Sequence, residues 1–507
     1  MKKLFVLLLA LTLTLGMFSC AFAEEPDLSE HLEITWAGHA DTTPPAEDGA
    51  WYQEYLEEKW NVTIIPQEIS HVEMDAWDTF FASGNTCDLI SNPGSRYNML
   101  IDQGLVRPIS LEMLYTYAPH WMEKVIEMVG SKEQVEQMLT YDDGNVYCMP
   151  YIAYTASFPQ SAYIRTDWLD NLGLSIPTTL DEYHDVIYAF VYNDPDGNGE
   201  NDTLGISGAN FNFHYVFGAY GIMPDSYYLQ DDGSVIYTST TEAYKNALKT
   251  LASWYQEGLI DPETFTDDRA LLREKWSAGK IGIMNDNAWW GEEARGNNSV
   301  INMVKANNPD AEIACFAAVT GPDGESGGIY YFPDITGQGA VLFGADATDE
   351  EVIRIMQIKE SMTYIEEYTL GRYGQEGVTY TINDDGVLVM NSDWDFEKQR
   401  SMGIGQFYAL QPQSYEDACL TLTTADKAIA DVALSSNRIY SGRNFYAPRA
   451  NEAKDTYGAD VDTIVDEYYA NAIMGKVDID ATWDEYVANV NAAGLTEIIA
   501  EYEDMLK

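Results

Sequence analysis

Positive charge is scarce in this chain. Its 507 residues include 28 lysines and arginines against 82 aspartates and glutamates, a formal net charge of −54. Nucleic acid is excluded as a partner, because phosphate binding needs clustered basic side chains. The imbalance also disfavours a strongly anionic ligand unless arginines gather locally, and a solvated acidic surface accounts for it. Histidine is rare too: there are six, none beyond His214. Of the five cysteines, Cys20, Cys87, Cys148, Cys315 and Cys419, no two are close enough for a zinc-type pair. Their spacing leaves disulfide pairing open.

Catalytic signatures are missing as well. No H-E-x-x-H or P-loop pattern occurs. Gly324-Glu325-Ser326-Gly327-Gly328 matches the G-x-S-x-G nucleophile pattern, which needs a strand before the serine, a helix after it and a later histidine. Pro322-Asp323-Gly324 is turn chemistry and no histidine follows, so the match is coincidental. Paired carboxylates could serve a glycosidase, but in so acidic a chain such pairs arise by chance.

Long apolar runs are absent after the first 23 residues. There, Lys2 and Lys3 precede the apolar stretch Leu4–Met17, and Ala21-Phe22-Ala23 forms a small-x-small cleavage site before Glu24. Residues 1–23 therefore read as an export signal. Cys20 offers a rival, a lipid anchor, although Phe18 occupies a place where lipoprotein signals carry a small residue; plain cleavage is the expectation. No later run reaches the roughly 18 apolar residues needed to span a bilayer. The mature chain is expected outside the cytoplasm, touching membrane only through a lipidated Cys20.

The most informative stretch runs from Ala162 to Thr203. Asp167 is placed to cap a short helix ending at Gly173, and Thr179 with Glu182 has capping-box spacing. Tyr183, Val186, Ile187 and Phe190 follow at helical spacing. Next, Asp194, Asp196, Asn198 and Asp202 stand at relative positions 1, 3, 5 and 9, with Gly199 at 6, as in the calcium loop of an EF-hand. The carbonyl of Glu200 supplies a further oxygen. Gly205 replaces the bidentate glutamate at position 12, so another carboxylate or water must complete the shell. The bland alternative is a metal-free acidic turn. Because such ligands fill the coordination sphere, a structural Ca2+ is expected.

Three ordered elements, Ile164-Arg165-Thr166-Asp167-Trp168-Leu169, Leu172-Gly173-Leu174 with Pro177-Thr178-Thr179, and the Asp194–Asp202 loop, resemble the extracellular solute-binding proteins (family 1) of carbohydrate ABC transporters. The resemblance is to the large alginate- and aldouronate-type branch. It implies an α/β, two-lobed periplasmic-binding-protein-like (type 2) fold with an interlobe cleft, acting as a monomer and without catalysis. The expected function is capture of an oligosaccharide and its delivery to membrane permease subunits. Non-carbohydrate cargo such as a peptide is the alternative, and a secreted glycoside hydrolase a weaker one.

The chain after residue 23 is too long for one core. Residues 24–152 and 335–385 are assigned to lobe 1, and 153–334 and 386–507 to lobe 2. Alternating strand and helix patterns between Glu33 and Ser91 imply a parallel sheet, whose strand ends place Trp36, His39, Asp41, Asn92 and Arg96 near a cleft. Tyr151 and Tyr154 lie in the first crossing between lobes, and the resemblance places them at the cleft. It likewise suggests Phe213 and Tyr215 in an aromatic, glycine-containing segment. Asn287, Trp289 and Trp290 follow a predicted strand at 280–285, where related sugar binders carry a stacking tryptophan. Gln406-Phe407-Tyr408 and Asn444-Phe445-Tyr446 are weaker candidates.

Overall fold

A computed structural model describes residues 26–506, except 39–47, 68, 70–73, 93–95, 142, 154–160, 210–212, 293–298, 328–334, 338, 392–393, 395 and 438–450. The export-signal assignment at 1–23, and with it Cys20, lies outside the described residues. So do His39, Asp41, Tyr154 and Asn444-Phe445-Tyr446.

Twelve strands occur among the described residues. They are β1 (Leu32–Ala37), β2 (Val62–Pro66), β3 (Leu89–Ser91), β4 (Cys148–Met149), β5 (Ser161–Arg165), β6 (Tyr227–Leu229), β7 (Val235–Tyr237), β8 (Ile283–Asp286), β9 (Ile313–Phe316), β10 (Val341–Phe343), β11 (Tyr380–Ile382) and β12 (Leu388–Met390). The first lobe is built on a five-stranded sheet in the order β2-β1-β3-β10-β4. β1 pairs in parallel with β2 and β3, as the alternating pattern predicts, while β10 runs antiparallel to β3 and β4. The second lobe holds the antiparallel sheet β8-β5-β9. β6–β7 and β11–β12 are hairpins that turn at Asp231-Asp232-Gly233 and Asp384-Asp385-Gly386, tripeptides whose turn chemistry is readable from the sequence.

Local sequence explains much of this. In β1 the alternation Leu32, Ile34, Trp36 faces inward while Glu33 is exposed. Asp88, just before β3, accepts from both the Thr35 amide at 2.8 Å and its hydroxyl at 2.7 Å, stitching the two strands. The helix Leu180–Tyr192 starts on the expected capping box of Thr179 and Glu182. Asp167 behaves differently. The helix here spans Thr166–Leu172 with no side-chain cap, and the Asp167 carboxylate instead takes the Arg165 guanidinium at 2.8 and 2.5 Å. Asp167 lies inside the first turn instead of before it, and the guanidinium fork engages both of its carboxylate oxygens. All four described cysteines are free, and burial pushes the thiols of Cys87 and Cys315 up to about 12.

The first core draws on residues from Leu32 to Ile152, Ile335 to Met362 and Ile404 to Ala409. The second lobe's cores use residues from Ala162 to Val319, then Ala418 to Ala433 and Val461 to Ile498. The chain thus returns to the second lobe later than position 386. Tyr408 is the reason: its ring lies 5.7 Å from Trp36 and 6.2 Å from Tyr52, inside the first core. Its carbonyl also accepts at 2.8 Å from Lys359, a fully buried residue on the helix Asp349–Ser361 whose ammonium sits 4.8 Å from the Trp36 ring. No helix of the described residues is long and apolar enough to cross a membrane.

Burial pulls the Lys359 ammonium from the ordinary 10.5 down to about 7. The unfolded chain then binds the extra proton between those values, so stability rises with pH through that window. Lys359→Met is expected to melt higher than the wild type near pH 6, with the gain shrinking as pH is raised from about 7 toward the ordinary lysine value of 10.5. Thermal melts across pH check this, and a constant difference would refute it.

Candidate ligand cleft and metal loop

The chain passes between the two lobes after β4, after β9 and after Ala409, and these crossings hydrogen-bond to one another. Tyr151 N–H donates to the Ile335 carbonyl at 2.9 Å, and Gln413 N–H donates to the Ile152 carbonyl at 3.0 Å. Beside them lies a cavity of about 310 Å³. Tyr151, Gln411 and Gln413 come to it from the crossings, Tyr368, Arg372 and Tyr373 from the first lobe, and Glu292 from the second. Gln406, just before the third crossing, also reaches it.

The lining combines ring faces with fixed polar groups. The Tyr368 and Tyr373 rings meet edge to face at 6.0 Å, and Gln413 Nε2 donates to the Tyr368 hydroxyl at 3.2 Å. Lys124 holds Gln411 through its side-chain carbonyl at 3.2 Å while pairing with Asp417 at 2.8 Å. Burial pushes the Tyr151 phenol up to about 12, with the Arg372 charge opposing it. The phenol therefore stays neutral and can donate or accept. Such a surface suits a ligand with alternating apolar faces and hydroxyls.

Of the sequence-predicted ligand contacts, Tyr151 lines this cavity. Asn92 is not among the lining residues: its side-chain oxygen accepts from Gly339 N–H at 2.9 Å, tying the end of β3 to the second crossing. Trp36 does not reach the cleft. It is fully buried in the first core and donates its indole N–H to the Phe407 carbonyl at 3.3 Å. Arg96 is buried and donates to Asp78 at 3.0 Å. Phe213 and Tyr215 are core residues of the second lobe, the latter donating to the Phe316 carbonyl at 2.7 Å. Asn287 is half-buried, its carbonyl accepting from Trp290 N–H at 2.9 Å in the turn Ala288–Gly291.

Trp290 is partly buried against the core holding Leu272 and Trp276. Arg273 lies 5.0 Å and Arg269 5.9 Å from its ring. Both arginines pair with the buried Asp286 carboxylate. Trp290 does not line the cavity. The Trp289 side chain lies outside the described set. What sequence reading missed is the end of the helix Ile365–Tyr373. Tyr368 and Arg372, four apart, share one helical face there, a spacing that was available as a signal.

The acidic loop follows the C-terminus of the helix Leu180–Tyr192. Gly199 takes a positive φ of 85° at the bend. Asp194 accepts from the amides of Asn198 at 3.0 Å and Gly199 at 2.9 Å. The Asn198 side chain donates through Nδ2 to Asp196 at 3.0 Å and Asp202 at 3.1 Å, and Lys280 pairs with Asp202. Burial raises the Asp196 carboxyl, with the charges of Asp202 and Asp194 adding to it. The donor set is all oxygen and crowded with negative charge, which fits a hard divalent cation. Asp194, Asp196, Asn198, Asp202 and the Glu200 carbonyl would hold it. Gly205 explains the missing glutamate: a Cβ there would lie 1.7 Å from the Leu259 carbonyl oxygen. A second acidic group, Asp261, Glu263 and Asp267, already surrounds the Lys275 ammonium at 2.7, 2.9 and 2.5 Å.

The profile of bacterial extracellular solute-binding proteins matches residues 43–352. The chain belongs to that family. Members of this solute-binding family capture their solutes and are not enzymes. The Ser326 hydroxyl donates to the Ala318 carbonyl at 3.0 Å. Two curated relatives are informative. The fructooligosaccharide ABC transporter substrate-binding protein FusA of Streptococcus pneumoniae is 31% identical over 218 residues, 40% of each chain. The polygalacturonan/rhamnogalacturonan-binding protein YtcQ of Bacillus subtilis is 25% identical over 368 residues, 69% of this chain and 68% of its own. Among solved structures, alginate-binding protein AlgQ2 without calcium ion superposes with a TM-score of 0.62 at 20% identity, covering 95% of this chain and 99% of that one. That likeness gives the fold: a two-lobed solute-binding protein with an interlobe cleft.

The geometry separates two aromatic residues. Tyr373→Ala, which removes a half-buried ring lining the cavity, is expected to cost about 1–3 kcal/mol of solute affinity, the transfer energy of a large ring, with little effect on the unliganded melting point. Trp290→Ala should do the reverse, lowering the melting point with little effect on affinity. Titration calorimetry and thermal melts on both variants check this, and the same pattern in both variants would refute it.

Proposed function

We propose that this chain captures an oligosaccharide between its lobes and presents it to the permease of an ABC importer. The observation that carries this reading is the cavity at the crossings, where Tyr151, Tyr368 and Tyr373 offer ring faces beside glutamine amides. Sugars stack their apolar faces on such rings while fixed polar groups and waters take the hydroxyls. FusA and YtcQ, whose names describe carbohydrate binding, support it. His39 and Asp41, from the strand-end rule, and Tyr154 and Trp289, from the family resemblance, stay in the proposal as cleft contacts. Lipidation at Cys20 is supported by a relative, lipoprotein LipO of Bacillus subtilis, 27% identical over 67% of this chain. A monomer is the proposed state.

A structural Ca2+ at the 194–202 loop belongs to the same reading. The fit of the oxygen donors supports it, as does the solved structure of a FusA EF-hand mutant, 20% identical with a TM-score of 0.65 over 94% of this chain and 98% of that one. Asp196→Ala and chelator treatment are each expected to lower the melting temperature, and together to do no more than either alone. If neither changes the melt, and metal analysis of the purified protein finds no calcium, the loop is only an acidic turn.

A glycan panel read by thermal shift tests the main reading, since a bound ligand raises apparent stability by mass action. At least one oligosaccharide is expected to raise the melting point and to be recovered intact. Stabilisation by peptides alone, or hydrolysis of the sugar, would overturn it.

A further inference from the structure

Asn198-Gly199 is the only Asn-Gly pair in the sequence, and it stands in the acidic loop. Asparagine followed by glycine is chemically labile, because no side chain shields the glycine nitrogen from the asparagine amide carbon. Both residues are exposed, and nothing lies within 4 Å of where a Cβ on Gly199 would sit, so the approach of water is open. The loop also holds each reacting group. Gly199 N–H, the nucleophile, donates to Asp194 Oδ2 at 2.9 Å. Asp194 is thus placed to take the proton that the attacking nitrogen sheds. Asn198 Oδ1 accepts from Glu200 N–H at 2.7 Å, at the atom where negative charge develops on attack. Asn198 Nδ2, the leaving nitrogen, donates to Asp196 at 3.0 Å and Asp202 at 3.1 Å.

We propose that Asn198 is a self-modification site, which loses its amide to Gly199 while the loop holds no cation and is protected once one binds. Gly199 N attacks Asn198 Cγ. A C–N bond forms, the Cγ–Nδ2 bond breaks, and ammonia leaves carrying the proton that Gly199 gave up. The product is a succinimide ring. Water then adds to either ring carbonyl and opens it, leaving aspartate or isoaspartate at 198. No oxidant, reductant or second enzyme takes part. The protective half rests on the calcium reading above. Ligation would occupy the Asp194 lone pairs and hold the Asn198 side chain by its oxygen, opposing the rotation that brings Cγ onto the Gly199 nitrogen. Each product alters the loop. Aspartate replaces the donor to Asp196 and Asp202 with a like charge. Isoaspartate adds a main-chain carbon ahead of the bend at Gly199 and so displaces the Glu200 carbonyl. A loop left long without its cation is thereby changed irreversibly.

The test ages the purified whole protein in chelator and in saturating calcium, with metal analysis of both samples, and maps its peptides by mass. A synthetic peptide of the loop, aged alongside, serves as the clock. In chelator, Asn198 is expected to convert ahead of every other asparagine, with the mass gain of amide-to-acid exchange and an isoaspartyl product. That mass gain separates the reaction from imide formation at Asp196-Gly197, which changes no net mass. Calcium is expected to slow conversion about tenfold or more. Gly199→Ala should slow the chelated rate by about tenfold, because a methyl group shields the nitrogen. Should that variant fold poorly, the wild type still decides, through site selectivity and the calcium ratio. If Asn198 keeps its amide in chelated protein after the peptide has converted, or converts no faster than the other asparagines, the assignment is overturned. Equal rates in calcium and chelator overturn the protective half when metal analysis finds calcium bound. When it finds none, the calcium reading itself has failed, and the modification stands or falls on the chelated sample.

Discussion

The three crossings and the hydrogen bonds between them are the constraint on which the molecule's organisation depends. Each lobe has its own sheet and core, so their covalent connection lies in these short segments. The Tyr151–Ile335 and Ile152–Gln413 main-chain bonds align the crossings side by side. A short aligned bundle of this kind permits rotation of one lobe against the other with small dihedral changes, while resisting sliding. It also fixes the cavity, because Tyr151, Gln411 and Gln413 are residues of the crossings themselves. The candidate site and the crossings share residues, so a ligand seated there would act on the lobe angle directly.

Around that bundle, buried polar groups pin the first lobe. Lys359 donates to the Tyr408 carbonyl and faces the Trp36 ring, and Trp36 in turn donates to the Phe407 carbonyl. These contacts hold residues 404–409 in the first core immediately before the third crossing. The segment reaches the cleft already anchored, which positions Gln406 and Gln411. A ligand in a preorganised wall loses less free energy to ordering of side chains.

Local signals were legible in the sequence, and long-range ones were not. The capping box at Thr179, the parallel start of the first sheet and two Asp-Asp-Gly hairpins are all decided within a few residues, so the pattern alone finds them. The cleft is different. Its wall joins Tyr151, Glu292, Tyr368 and Gln413, which are far apart in sequence, and no spacing rule links them. The strand-end rule placed Trp36 at the right end of β1 but could not choose its face, and alternation with Leu32 and Ile34 turns it inward. Phe213 failed for a related reason. The resemblance put its aromatic, glycine-containing segment at the cleft, yet the ring is buried and a Cβ at Gly208 would lie 2.5 Å from it. The glycine makes room for a buried aromatic.

The acidic loop illustrates how packing edits a binding motif. An EF-hand closes its shell with a glutamate at position 12, but here that position lies against the main chain of Leu259, and Leu204 and Ile206 on either side form bridges to Ile281 and Ile260. No side chain can be accommodated without moving that contact. The backbone register of the second lobe and a complete ligand set therefore compete for one residue, and the register wins. A cation held by the remaining oxygens would keep one or more waters, and so would bind more weakly and exchange more readily than in a closed loop. It would link the end of the helix Leu180–Tyr192 to Lys280, which begins the segment whose far end brings Glu292 to the cavity. Its effect on ligand binding would then be transmitted through the rigidity of β8, since no residue of the loop reaches the cavity wall.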